Sequence, residues 1–173
     1  MRSRRQFCGF SLVEVIIAAG IFAGAMATTI ALMAVLSRQS AEAIDHLAAT
    51  RLPDAVKIEL DRLAATDFGA LAAQVPELAA SPGEGLALVA SPDGAQVQSL
   101  AYLPPAAERL AANQQYYLIE CWRFPEGPLR YDSTKAFLAL QVRVSWPYRL
   151  AAQSSPVPMA DRSQLTFTVS LNR

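Results

Sequence analysis

The chain has 173 residues, 53% of them hydrophobic, with 15 basic and 15 acidic side chains in formal balance. That length accommodates one ordinary globular domain plus a membrane segment and is too short for two comfortable domains. The charge balance argues against nucleic-acid binding through a basic surface.

The first nine residues carry Arg2, Arg4 and Arg5 and no acid, so without them 12 basic would face 15 acidic side chains. From Phe10 to Leu36 there are 27 residues with one ionisable group, Glu14. As a helix rising about 1.5 Å per residue this run spans roughly 40 Å, more than the roughly 30 Å of a hydrocarbon core. With the arginines on its N-terminal flank, the positive-inside rule keeps that end cytoplasmic and sends residues after about 37 outward.

The run is longer than the apolar region of a secretory signal, although Ala25-Met26-Ala27 imitates a cleavage site and "SRRQF" imitates a twin-arginine signal. An exported binding protein cut after about Ala27 is therefore one alternative, and a plain single-pass anchor with an envelope-facing head is another. A lipoprotein signal is disfavoured, because the apolar stretch follows Cys8 instead of preceding it.

"GFSLVEV", residues 9 to 15, resembles the prepilin cleavage site of type IV pilins and type II secretion pseudopilins. The shared features are a short basic leader ending in glycine, then phenylalanine, then an apolar helix with glutamate at its fifth position. They cover residues 1 to about 36. The resemblance implies cleavage between Gly9 and Phe10 by a prepilin peptidase and methylation of the new Phe10 amine. It also implies an assembly contact between Glu14 and the amine of a neighbouring subunit. Partners would be other pilin or pseudopilin subunits, membrane lipid, and an inner-membrane assembly platform with a separate ATPase. The presence of Glu14 argues against the tip pseudopilins that lack this acid, leaving a minor pseudopilin or minor pilin; the chain also looks like the Verru_Chthon cassette B class of pilin-like proteins.

The acid has a physical rationale. A charge near the middle of a membrane helix costs on the order of 2.5 to 3.5 kcal/mol on insertion scales, so such residues tend to be paired or functional. A first-turn residue reaching water is the simpler alternative. Gly20 and Gly24 form a G-x-x-x-G step that would let another helix approach closely.

Beyond Ser37 the pattern turns amphipathic, with Ile44, Ala48, Leu52, Val56, Leu60 and Leu63 as an apolar stripe. Pro53 predicts a kink or short break, and "TDFG" at 66 to 69 a stop with Gly69 past the end. Residues 70 to 95 read as a connecting region with turns at "SPGEG" and "SPDG" and a short strand around Leu86 to Ala90. Residues 94 to 103 suggest a second strand, and 104 to 113 the start of a short helix.

Strict alternation marks strands at 137 to 146, with Leu138, Leu140, Val142, Val144 and Trp146 on one face, and at 165 to 171, with Leu165, Phe167, Val169 and Leu171 inward. Residues 115 to 124 form a third strand, and there Glu120 shares a face with Leu118 and Trp122, which leaves the core side open. The predicted fold is α+β: a long N-terminal helix packed on a C-terminal antiparallel sheet, which is also the pilin arrangement. Its segments are a leader at 1–9, a membrane or filament-core helix at 10–36, its amphipathic continuation at 37–69, and an extracytoplasmic head at 70–173.

No enzyme chemistry is expected. His46 is the one histidine and reads as a solvated helix residue; no glycine-rich phosphate loop follows a strand, and the acids Glu120, Glu126, Asp132 and Asp161 are scattered. Neither metal nor cofactor is predicted. Cys121 reads as a small buried residue, and the aromatic residues Tyr116, Tyr117, Trp122, Trp146 and Tyr148 as packing groups.

Overall fold

The computed structural model describes residues 11–77, 86–102, 104–134, 136–150 and 155–173. The leader, the Gly9–Phe10 bond and the "SPGEG" turn lie outside them. The chain divides into two compact units, Met1–Ile44 and Asp45–Arg173. The architecture is α+β, as the periodicities predict: a 55-residue helix, α1 (Leu12–Thr66), a short α2 (Phe68–Gln74), and one five-stranded antiparallel sheet.

The strands are β1 (Leu86–Ala90), β2 (Val97–Ser99), β3 (Tyr117–Arg123), β4 (Phe137–Trp146) and β5 (Ser163–Asn172), in the order β2-β1-β3-β4-β5. Residues of α1 from Ala49 onward supply one side of the core: Ala49, Leu52, Val56, Leu60 and Leu63 are buried. The sheet supplies the other, through Leu88, Ile119, Leu138, Leu140, Val142, Val144, Val169 and Leu171. The alternation predicted for β4 and β5 is the alternation found.

Ile44 departs from the predicted stripe and is 62% exposed. Residues spaced by four drift around a 3.6-residue helix, so Ile44 points about 80° away from Leu52. The buried row instead follows 49, 52, 56, 60 and 63, the three-and-four spacing that keeps one face.

Pro53 does not break α1. An interior proline costs about 3 kcal/mol, whereas each fully buried Val or Leu gains roughly 1.5 to 3 kcal/mol. Leu52 and Val56, both fully buried, flank the proline and hold the two sides in one helix. The stop predicted at "TDFG" is found, with Gly69 past the end of α1. Helix α1 stops at Thr66 because Asp67 turns extended and caps α2, its Oδ1 accepting the Ala70 N–H at 2.9 Å, and Gly69 falls inside that second helix.

The second strand is shorter than predicted, only Val97–Ser99, and the stretch after it makes two 3-10 turns, Ala106–Glu108 and Ala112–Gln114. The β1–β2 turn is closed by Ser91 and Gly94: the Gly94 N–H donates to the Ser91 carbonyl at 2.9 Å. Gly94 has φ +70°, and a Cβ there would meet Leu52 Cδ2 at 3.3 Å, so the turn needs glycine for both conformation and space.

The open question at β3 is resolved by the register. Tyr117, Ile119 and Cys121 face the helix, while Glu120 and Trp122 face away and are buried all the same. Residues after β4 contribute to this far side: the Val157 N–H donates to the Tyr148 carbonyl, and the Arg162 guanidinium donates to the Val157 carbonyl and to Ser145 Oγ.

Removing a fully buried leucine leaves transfer and cavity terms together. Leu52→Ala is therefore expected to cost about 2 to 5 kcal/mol in urea unfolding of the detergent-solubilised chain, whereas Ile58→Ala, at a 71% exposed position of the same helix, stays within about 0.5 kcal/mol.

Candidate functional site

Helix α1 has no polar face between Leu12 and Leu36. Between Leu12 and Leu36 every Leu, Ile, Val, Met and Phe is at least half exposed. One 18-residue window is long and apolar enough to cross a membrane, and none of it is buried. A helix apolar all round belongs in lipid or inside an assembly.

Its polar atoms fit that setting. Thr28 Oγ1 donates to the Ala25 carbonyl at 2.8 Å and the Gly24 carbonyl at 3.1 Å, and Thr29 Oγ1 donates to Ala25 at 2.8 Å. Hydroxyls returned to their own helix carry no unmet hydrogen bond into an apolar medium.

Glu14 lies exposed in the first turn of α1. Its N–H donates to Ser11 Oγ at 3.2 Å, and the Val15 N–H donates to the Ser11 carbonyl at 3.2 Å, so Ser11 caps the helix with glutamate three residues on. The positive end of the helix dipole favours a carboxylate there. This local role, which the sequence reading did not assign, explains part of the acid's position. It does not neutralise the charge, and among the described residues Glu14 has no ion pair.

Gly20 and Gly24 share a stripe of the helix, and a Cβ at either would meet nothing within 4 Å. Glu14 belongs to a different stripe, with Ala18 and Ile21 at helical spacing. The structure thus places three of the five predicted site residues on one bare helix without bringing acid and glycines together; Gly9 and Phe10 are outside the described residues.

In the second unit, the start of its helical part is clamped to the sheet. Tyr116 OH donates to Asp45 Oδ2 at 2.7 Å, and Tyr117 OH donates to the Asp45 carbonyl at 3.2 Å. The His46 ring meets Trp146 edge-on with centroids 5.5 Å apart, so the histidine is exposed yet packed. On the far side of the sheet Arg143 Nη2 donates to Glu120 Oε2 at 2.9 Å, with its guanidinium 4.6 Å from the Trp122 ring centroid.

Burial, and then the Glu120 charge, push the Cys121 thiol up, away from the thiolate that nucleophilic chemistry needs. A groove of about 880 Å³ beside the C-terminal turns of α1 has Arg62 on its wall, but that guanidinium is bound through two 2.7 Å hydrogen bonds to Glu59, which raises its pKa. Among the described residues no three His, Cys, Asp or Glu side chains gather as metal ligands.

Comparison of the chain with protein-family models, with curated proteins and with solved structures finds no match.

The Asp45 clamp has a pH signature. Burial first, then the Asp45 charge, raise the Tyr117 phenol to about 12; Tyr116 is raised further, by burial and then by its hydrogen bond to Asp45. In the unfolded chain both ionise near 10, so their contribution is fully present below about pH 10 and is lost as pH climbs towards 12. Stability followed against pH should fall across that window, and less steeply in Tyr116→Phe, which itself costs roughly 1 kcal/mol at neutral pH.

Proposed function

We propose that this protein is a structural subunit of the prepilin type, cut between Gly9 and Phe10, held in the bacterial inner membrane by its N-terminal helix, and assembled into a type II secretion pseudopilus or a type IV pilus-like filament. The leader is cytoplasmic and the head extracytoplasmic. A minor pseudopilin or minor pilin is the favoured subclass. Prepilin peptidase, other filament subunits and an assembly platform with its own ATPase are the partners, and the chain itself performs no catalysis.

The observation that carries this reading is the glutamate five residues into an otherwise uncharged run that opens with phenylalanine after glycine. Cleavage would create an ammonium at Phe10, and methylation would keep its charge. An unpaired buried charge is costly, so pairing each Glu14 with the amine of a neighbour offsets desolvation and selects one stagger between helices. The bare stem and its internally bonded threonines support the same reading, as does the helix-on-sheet head. Export with cleavage near Ala27 uses "SRRQF" but gives Glu14 no role.

The mature N-terminus discriminates. Intact mass of membrane-extracted protein, prepared with and without prepilin peptidase, should show loss of residues 1–9 and a methyl group only when the peptidase is present. A chain beginning near Thr28, or one still starting at Met1, contradicts the proposal. Glu14→Ala should leave membrane insertion unchanged while abolishing incorporation into filaments; normal incorporation sinks the pairing mechanism.

A further inference from the structure

The two edges of the sheet are treated differently. On one side β2 has three residues, and its Gln98 side chain donates to the Glu108 carbonyl and accepts the Leu110 N–H at 2.9 Å, so the following loop lies across that edge. On the other side β5 has ten residues, Ser163–Asn172, with no charge, no proline and no break in register from Trp146↔Ser163 to Phe137↔Asn172. Natural proteins usually blunt such an edge with a short strand, a lysine, a proline or a bulge. Here none of these is present.

The register says which groups are free. The Arg173 N–H donates to the Ala136 carbonyl at 2.8 Å, so odd-numbered residues of β5 bond inward to β4 and even-numbered ones point outward. Gln164, Thr166, Thr168, Ser170 and Asn172, all exposed, therefore present their N–H and C=O groups to an edge that pairs with no strand among the described residues. Above them Leu165 and Phe167 pack on the core yet stay half-buried, leaving an apolar flank that another strand would cover.

We infer that β5 accepts an extended segment of a different protein as a sixth strand. Ten residues at about 3.4 Å and a sheet about 10 Å thick make an edge that, paired with a second copy, covers on the order of 700 Å² over both chains, short of the roughly 1,200 Å² of a stable dimer. The fitting segment alternates apolar and small polar residues and carries an acid at the end that meets Arg173. That arginine follows the uncharged strand and has no carboxylate partner among the described residues, whereas Arg162 at the other end is already held by Val157, Ser145 and Met159.

The probe is a ten-residue peptide of alternating valine and threonine with glutamate at each end, added to the full chain in detergent micelles and read by amide hydrogen exchange. The even-numbered amides of β5 should slow at least tenfold while the odd-numbered ones stay as they are. Thr168→Pro removes an outward N–H and leaves the ladder to β4 intact, so it should weaken binding at least tenfold, and Thr168→Val should not. Thr168→Lys gives the same loss should the proline variant fail to fold. Unchanged exchange at millimolar peptide overturns the inference, and so does concentration-dependent slowing without peptide, which would mean a second copy occupies the edge. Intact mass of the same sample keeps the two readings apart: a trimmed chain that ignores the peptide sinks strand addition alone, and a retained leader sinks the filament reading whatever the peptide does.

Discussion

The apolar surface of α1 has to be covered, and the chain covers only part of it. From Ala49 to Ala64 the helix buries one face under the sheet, and between Leu12 and Leu36 it buries none. The first arrangement creates the head: strands that alternate in hydropathy have one face to hide, and the helix row at 49, 52, 56, 60 and 63 is what they hide it on. The second demands a medium supplied from outside, lipid or other helices. In that medium a polar atom must be satisfied from within, which Thr28 and Thr29 achieve against their own backbone. Glu14 is the group that cannot be satisfied this way, and the proposed function follows from that exception.

Inside the head, polar groups specify register more than they add stability. Glu120 and Arg143 are directly opposite across β3 and β4, 1% and 23% exposed at the side chain, with Trp122 stacked on the guanidinium. A buried ion pair contributes little beyond what an apolar pair of equal volume would, but losing one partner typically costs 3 to 5 kcal/mol. A one-residue slip between the two strands would leave a carboxylate and a guanidinium buried apart. The Asp45 clamp does the corresponding work between helix and sheet, fixing where along α1 the head begins.

How much was legible from sequence depended on whether the signal was local. β4 and β5 alternate cleanly in hydropathy, so their inward faces follow from sequence; in β5 the other face is open, whereas in β4 Ala139 and Ser145 on that face are buried too. β3 could not be oriented, because both its faces are covered and an acid on a covered face looks like an exposed one until Arg143 is placed opposite it. Ile44 and the break expected at Pro53 fail for a common reason: spacing and propensity describe an isolated helix, while the sheet decides which residues are buried and whether a lost hydrogen bond matters. At the candidate site, the Gly9-Phe10-Glu14 pattern is contiguous in the sequence, and the proposal rests on it there. Asp45 and Tyr116, 71 residues apart, gave no sign of each other. The open edge of β5 was equally hidden, since a strand's place in a sheet is a property of topology.

The claim on which the account turns is that residues 12–36 live in an apolar medium while the helix beyond Asp45 faces water with its uncovered side. An environment-sensitive dye on a single cysteine reports this directly, in a Cys8→Ser background that leaves the buried Cys121 unreactive. In native membranes a dye at Met26 should emit blue-shifted, as in hydrocarbon, and one at Ile58 should emit as in water. Water-like emission from Met26 would contradict the account.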